Sequence, residues 1–202
     1  AQNPKSEIQN KEILKRYNIN QKYILYLGTL KPSKNIDGLI KAFNLLTTNY
    51  ELPTTKLVIA GKKGWMYEDL FKLVGKLDLE DKVIFTGFVE DSEVQPLMAE
   101  AEVFVMPSFW EGFGIPVLEA MSAGTPVVCS NRGSLPEVVG KAGILIDPEK
   151  TEEIAEKTAK LLKDDKLRQD LVKLGRKRAE KYSWERCGEK VLETLINVRS
   201  VQ

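Results

Sequence analysis

The sequence predicts an α/β fold, a doubly wound parallel sheet of about six strands with flanking helices. Six short apolar runs rich in β-branched residues recur at Tyr23 to Leu27, Lys56 to Ala60, Lys82 to Phe85, Val103 to Met106, Pro126 to Cys129 and Gly143 to Ile146. Helical periodicity fills most of the intervals, as in Ile36, Leu39, Ile40, Phe43 and Leu46. The runs are nearly continuously apolar, as strands covered on both faces must be. Alternation of strand and helix gives a sheet whose ligands sit at the carboxyl ends of the strands. Gly28, Gly61, Gly87 and Ser108 each follow a predicted strand and so surround one crevice.

Taken in order, residues 1–20 read as a linker and a short helix over Ser6 to Tyr17, and residues 21–182 as the main domain. The first strand leads into Gly28-Thr29-Leu30-Lys31-Pro32-Ser33-Lys34-Asn35, with Asn35 placed to N-cap the following helix. A glycine at a strand end, a lysine and a helix N-terminus can cradle a phosphate without a metal. Lys34 is read as that lysine, while Lys31 can supply a second charge or point to solvent. The second strand ends in Gly61-Lys62-Lys63-Gly64, which could line the same pocket, although paired lysines in a turn are more often simply solvated. The third runs into Thr86-Gly87-Phe88-Val89.

The fourth strand leads to the most informative stretch, Ser108-Phe-Trp-Glu111-Gly112-Phe113-Gly114-Ile115-Pro116-Val-Leu-Glu119. Gly112 and Gly114 permit a tight turn with free amides, and Pro116 suits the first helical position. Val117, Leu118 and Met121 form the core-facing stripe of a helix that Gly124 and Pro126 close. A free helix N-terminus suits a phosphate, whereas Glu111 and Glu119 would repel one and better accept hydrogen bonds from neutral hydroxyls. Diphosphate plus polyol hydroxyls describes a nucleotide sugar. Taken singly, Glu111 is equally a solvated loop residue and Glu119 a first-turn carboxylate favoured by the helix dipole.

After the fifth strand, Ser130-Asn131-Arg132-Gly133-Ser134-Leu135-Pro136-Glu137 ends in a Pro-Glu pair that starts a short helix, with a structural role for Glu137. Beyond Pro148 come three helical patterns, Thr151 to Lys163, Lys166 to Lys181 and Ser183 to Val198. Thr151 backed by Glu152 and Glu153 is a helix start, and Ser183 a candidate N-cap. Residues 183–202 read as a C-terminal helix with Trp184, Val191 and Leu195 as an ordinary core stripe.

Composition narrows the function. At 202 residues the chain suits one α/β domain, and a formal charge of +1 argues against broad binding to nucleic acid or anionic lipid. It contains no histidine, which removes histidine acid/base catalysis and histidine metal ligation, and no metal site is expected. Cys129 and Cys187 read as buried thiols in a reducing cytosol. No apolar run approaches a membrane span, so the expected location is cytoplasmic, with membrane contact at most peripheral, at the inner face.

The stretch from Glu111 to Glu119, with Gly112-Phe113-Gly114, Pro116 and Glu119-Ala-Met-Ser-Ala-Gly-Thr-Pro-Val, closely resembles the Glu-any-seven-Glu signature of retaining GT-B glycosyltransferases of group 1, family 4 type. Such enzymes carry two Rossmann-like domains facing a cleft, and this chain resembles the C-terminal, donor-binding one alone. The resemblance implies that Glu119 binds the nucleotide ribose and Glu111 lies beside the donor hexose. It also implies that the amides of Phe113, Gly114 and Ile115 hold hexose and diphosphate, and that Lys34 grips the diphosphate. Gly28 and Thr29 would line the phosphate loop, with backbone groups of Gly87, Phe88 and Val89 meeting the base. Glu111 and Lys34 are the implied catalytic pair. Thr29 stands where the family usually has an arginine, so the usual two-cation clamp is incomplete unless Lys31 replaces it.

The implied reaction is metal-independent, cofactor-free transfer of a hexose from a UDP- or GDP-hexose to a saccharide or lipid-linked acceptor. The acceptor side and its histidine would come from an N-terminal domain that this chain lacks, and the C-terminal helix would cross back to that domain. The competing reading is a non-catalytic nucleotide-binding or regulatory domain of the same architecture. A phosphorylase-like glucan enzyme fits less well, because nothing announces a lysine-bound pyridoxal phosphate.

Overall fold

A computed structural model describes residues 4–50 and 55–199, with side chains placed for residues 10–50 and 55–197. Residues 1–3 of the expected linker and 200–202 of the expected terminal helix lie outside the described residues. The six strands are Tyr23–Leu27 (β1), Lys56–Ala60 (β2), Val83–Gly87 (β3), Val103–Met106 (β4), Val127–Ser130 (β5) and Ile144–Ile146 (β6). They pair in the order β3-β2-β1-β4-β5-β6, all parallel. The chain crosses over between β1 and β4, which therefore flank the switch point where loops leave toward opposite faces.

Each strand alternates its side chains between two cores. Ile24, Tyr26, Leu57, Ile59, Val105 and Val128 pack beneath Ile36–Asn49 (α2) and Thr151–Lys163 (α7) on one face. Tyr23, Leu25, Val58, Phe104, Met106 and Cys129 pack on the other, against Asp91–Ala99 (α4), Ile115–Ala123 (α5) and Leu135–Val139 (α6). Burial on both faces is the physical reason the strands read as unbroken apolar runs. Glu68–Lys76 (α3) closes the β2–β3 crossover.

The first helix spans Pro4–Arg16 (α1), two residues earlier than its pattern suggested. It docks on α4, where Asn10 donates to Glu100 at 3.0 Å and both Arg16 and Tyr17 bond the buried Glu93. Asp165–Ala179 (α8) begins at Asp164, whose carboxylate accepts from the Leu167 amide at 2.9 Å. Ser183 caps Trp184–Arg199 (α9) as expected, accepting from the Arg186 amide at 3.2 Å.

The reading of α9 as a core stripe is corrected. Trp184 is 80% exposed, and Val191 and Leu195 are also exposed, because nothing among the described residues covers that side of the helix. The same placement corrects the reading of two buried thiols: Cys129 is buried in β5, but Cys187 is exposed on α9. No helix among the described residues is long and apolar enough to cross a membrane.

Burial pushes the Cys129 thiol up to about 12. A thiol-reactive dye at neutral pH should therefore label one cysteine per native chain, at Cys187, and both only after denaturation. Rapid labelling of both in the native state would contradict this placement.

Candidate functional site

The site is assembled from loops that leave the carboxyl ends of β1, β2, β4 and β5. The β1 and β2 loops run on together beyond the sheet. The Gly28 amide donates to Ala60, the Leu30 amide to Lys62 and the Gly64 amide to Leu30, all near 3.0 Å. Gly61 makes this approach possible, since a Cβ there would overlap the Gly28 carbonyl. The Gly61 amide also donates to Gly87 at 2.8 Å, joining the β3 loop to the same ledge.

After Gly28 the chain makes a short 3-10 turn, Pro32–Lys34, and then enters α2 through Asn35 in the left-handed region, with φ of 53°. Asn35 occupies the N-cap position but its side chain makes no capping bond, which corrects the reading of that residue. Its amide nitrogen donates instead to the Pro107 carbonyl at 3.2 Å and the Pro148 carbonyl at 2.6 Å. Asn35 is buried, and these two carbonyls would otherwise lie unpaired beneath the site. The Phe109 amide adds a bond to the Ser33 carbonyl at 3.0 Å. The β1 and β4 loops are thereby stitched together across the switch point.

That stitching brings Lys34 and Glu111 into an ion pair. The Lys34 ammonium bonds Glu111 Oε1, with the two side chains only 15% and 11% exposed. The buried Ser108 hydroxyl donates to the same Oε1 at 2.9 Å. No described residue donates to Oε2, so that oxygen is open to a ligand.

The backbone of Glu111 is held from the β5 loop. Ser134 Oγ donates to the Glu111 carbonyl at 3.3 Å, and a Cβ on Gly133 would sit 2.6 Å from that carbonyl. With φ of 59°, Gly133 is in the region that favours glycine on both counts.

Beyond Glu111 the chain turns through Gly112 and the exposed Phe113 into α5, with Gly114 at the N-cap position, Ile115 opening the helix and Pro116 in its first turn. Among the described residues, the amides of Phe113, Gly114 and Ile115 donate to no protein acceptor. The Phe113 ring meets Tyr182 edge-on at 5.9 Å. Glu119 lies one turn further along α5. Partial burial, and secondarily the Asp91 carboxylate, push its pKa above the ordinary glutamate value.

Gly28, Thr29, Lys34, Ser108, Glu111 and Gly114 therefore belong to one constellation around the switch point. Gly87, Phe88 and Val89 lie on the far side of β2. Val89 is buried, which leaves only its backbone for a ligand, whereas Phe88 is exposed with the Lys62 ammonium 4.4 Å above its ring. Lys62 and Lys63 are both exposed, as read from the sequence, and their ammonium groups lie over the Phe88 and Tyr67 rings at 4.4 and 5.0 Å. Lys31 makes no ion pair among the described residues, and Thr29 is exposed. Asn35, Gly133 and Ser134 are the supporting residues that sequence reasoning missed. Only the position of Gly133 and Ser134 after a strand end hinted at them.

The fold and this loop set define one Rossmann-like half of a GT-B type glycosyltransferase. Residues 9–178 match the model of the glycosyl transferases group 1 family, and the chain belongs to that family. It is 42% identical over 187 residues to the O-antigen chain mannosyltransferase B of Escherichia coli, a match covering 91% of this chain and 48% of that protein. Sucrose-phosphate synthase from Thermosynechococcus elongatus superposes with a TM-score of 0.83 at 25% identity, over 95% of this chain and 49% of that one. The Anabaena HepE protein, solved in complex with UDP-glucose, shares the fold with a TM-score of 0.84 at 22% identity, over 97% and 54% of the two chains. The chain thus spans about half the length of these relatives.

Asn35→Ala leaves two buried carbonyls unpaired and places alanine in the left-handed region. It should lower unfolding free energy by about 2–4 kcal/mol in denaturant titration. Glu119→Gln tests the raised carboxyl. A group whose folded pKa lies above its unfolded value favours the fold when protonated, and that contribution is lost as pH rises through the folded pKa. The variant should therefore melt higher than wild type at neutral pH and equally below the ordinary carboxylate range. A lower melting temperature at neutral pH would contradict the assignment.

Proposed function

We propose that this chain is the donor-binding half of a retaining hexosyltransferase that takes its sugar from a nucleoside-diphosphate hexose. The mannosyltransferase relative favours mannose as the hexose. The observation that carries the reading is the arrangement at Glu111: two donors converge on Oε1, no described residue donates to Oε2, and the amides at the start of α5, a few residues on, have no protein acceptor among the described residues.

In this reading a hexose hydroxyl donates to Glu111 Oε2, and the amides of Phe113, Gly114 and Ile115 hold further hexose and diphosphate oxygens. Glu119 accepts from the ribose hydroxyls, and the backbone at Gly87, Phe88 and Val89 meets the base, beside Gly28 and Thr29 at the phosphates. The bond from the anomeric carbon to the β-phosphate oxygen breaks during transfer. Negative charge grows on that oxygen, where Lys34 and the α5 amides are placed to meet it. Glu111 orients hydroxyls and is not a covalent nucleophile. Retaining glycosidases set two carboxyls about 5 Å apart across the scissile bond, whereas the charged group bonded to Glu111 is a lysine. The acceptor, a saccharide or a lipid-linked saccharide, would be held by the other half of the enzyme.

Calorimetric titration with UDP, GDP, UDP-glucose and GDP-mannose, without added metal, tests the proposal. One nucleotide series should bind saturably, and Lys34→Ala and Glu119→Ala should each weaken it about tenfold or more, the scale of one hydrogen bond to a charged group. Glu111→Gln should weaken only the sugar nucleotide. Absence of binding in every case would sink the proposal. Equal binding of nucleotide and sugar nucleotide, with Glu111→Gln silent, would instead identify a non-catalytic nucleotide-binding domain.

A further inference from the structure

Trp110 stands directly before Glu111 and is 68% exposed, although the loop that carries it is held on both sides. The Phe109 amide donates to the Ser33 carbonyl at 3.0 Å, and Ser134 Oγ donates to the Glu111 carbonyl at 3.3 Å. The exposure therefore belongs to an anchored backbone and not to a loose end. Phe113 and Ile115, on the other side of Gly112, are each 47% exposed. Clustered apolar side chains left bare beside a polar crevice mark a ligand or partner site.

Gly112 marks an open space within that cluster. Its φ is not in the left-handed region, so the backbone does not require glycine. Packing does not require it either. A Cβ there would meet only the Trp110 indole, with Cη2 at 3.7 Å, which is an ordinary contact. The indole edge thus lies against the one residue of this turn where a side chain would fit and is missing. Gly112 stands in the chain between Glu111, whose Oε2 receives no bond from a described residue, and the amides of Phe113, Gly114 and Ile115, which have no acceptor among the described residues.

A ring face beside a bare carboxylate oxygen and bare amides is the complement of a pyranose, which carries C–H groups on its face and hydroxyls around its rim. The negative π-face of indole attracts the polarised C–H groups. Resting on the donor-site reading above, we propose that Trp110 is a sugar-binding residue: its indole stacks on the C–H face of the donor hexose, over the space that Gly112 leaves open, while a rim hydroxyl donates to Glu111 Oε2. A nucleobase would also stack on tryptophan. In that reading, however, the base meets the backbone at Gly87, Phe88 and Val89, at the end of β3, and β3 is three strands from β4, about 14 Å at ordinary strand spacing.

Calorimetric titration of the 202-residue chain tests this by comparing the bare nucleotide with its sugar nucleotide. Trp110→Ala should weaken the sugar nucleotide about tenfold, the scale of one stacked aromatic ring and the apolar area it covers, and leave the bare nucleotide unchanged. Trp110→Phe, which keeps a ring, should recover most of the loss. Gly112→Ala should leave the melting temperature unchanged or slightly raised, because alanine fits the free protein, yet weaken the sugar nucleotide selectively. With Trp65 and Trp184 both replaced by phenylalanine, Trp110 is the remaining tryptophan, and its emission should change with the sugar nucleotide but not with the bare one.

Equal weakening of both ligands by Trp110→Ala would overturn the proposal, because the indole would then carry the base. Full sugar-nucleotide affinity in Trp110→Ala or in Gly112→Ala would also overturn it. Failure of every nucleotide to bind the wild type, or equal binding of nucleotide and sugar nucleotide, would overturn the donor-site reading and the stacking with it. Tighter binding of the sugar nucleotide that depends on Glu111 but not on Trp110 would overturn the Trp110 assignment alone.

Discussion

The Lys34–Glu111 ion pair is the contact on which the rest of the site depends. Two charges held almost out of water are stable only when paired and supplied with further hydrogen bonds. Both conditions rest on the position of two loops. Lys34 follows β1 and Glu111 follows β4, strands that are neighbours only because the sheet is doubly wound. The pair therefore connects two segments 77 residues apart in sequence at the one place where the topology leaves a crevice. Asn35, bonded to Pro107 and Pro148, and Phe109, bonded to Ser33, hold those segments in register beneath it.

Around that pair the site separates its charges by backbone placement. The amides at the start of α5 have no acceptor among the described residues, while Glu119 stands one turn along the same helix with its pKa raised. A helix N-terminus favours negative charge, so partial burial and the neighbouring Asp91 carboxylate outweigh that field at Glu119. Backbone contact permits this crowding. Gly133 brings the β5 loop onto the Glu111 carbonyl, and Gly61 brings the β2 loop onto Gly28. A side chain at either position would push a loop away from the crevice by more than the length of a hydrogen bond can absorb.

The strands were legible because both faces are covered, which leaves a continuous apolar signal, and the Glu111 to Glu119 segment because glycine, proline and carboxylate spacing coincide there. Long-range partners were not legible. Nothing local in the sequence distinguishes an asparagine that caps its own helix from one that reaches the carbonyls of Pro107 and Pro148, since both need a short polar side chain at the same position. The α9 error has another origin: periodicity reports that a helix has an apolar face, but not whether this chain supplies something to cover it. Cys187 was misplaced with the helix that carries it.

The pairing of Lys34 with Glu111 also constrains what donor binding can be worth. Thr29 offers no charge where the family has an arginine, and Lys31 is not in an ion pair among the described residues, so Lys34 is the cation already built into the crevice. It is engaged before any ligand arrives. In the proposed donor site a diphosphate must draw the ammonium from a carboxylate at short range, and the strength of that pair is subtracted from whatever the phosphates gain. The exchange is favourable only if the freed carboxylate finds new donors at the same time. A sugar nucleotide carries them as hexose hydroxyls, whereas a bare nucleoside diphosphate does not. On the proposed donor-binding reading, the pair would act as a selectivity device that penalises ligands bringing phosphate alone and favours those bringing phosphate and a polyol together.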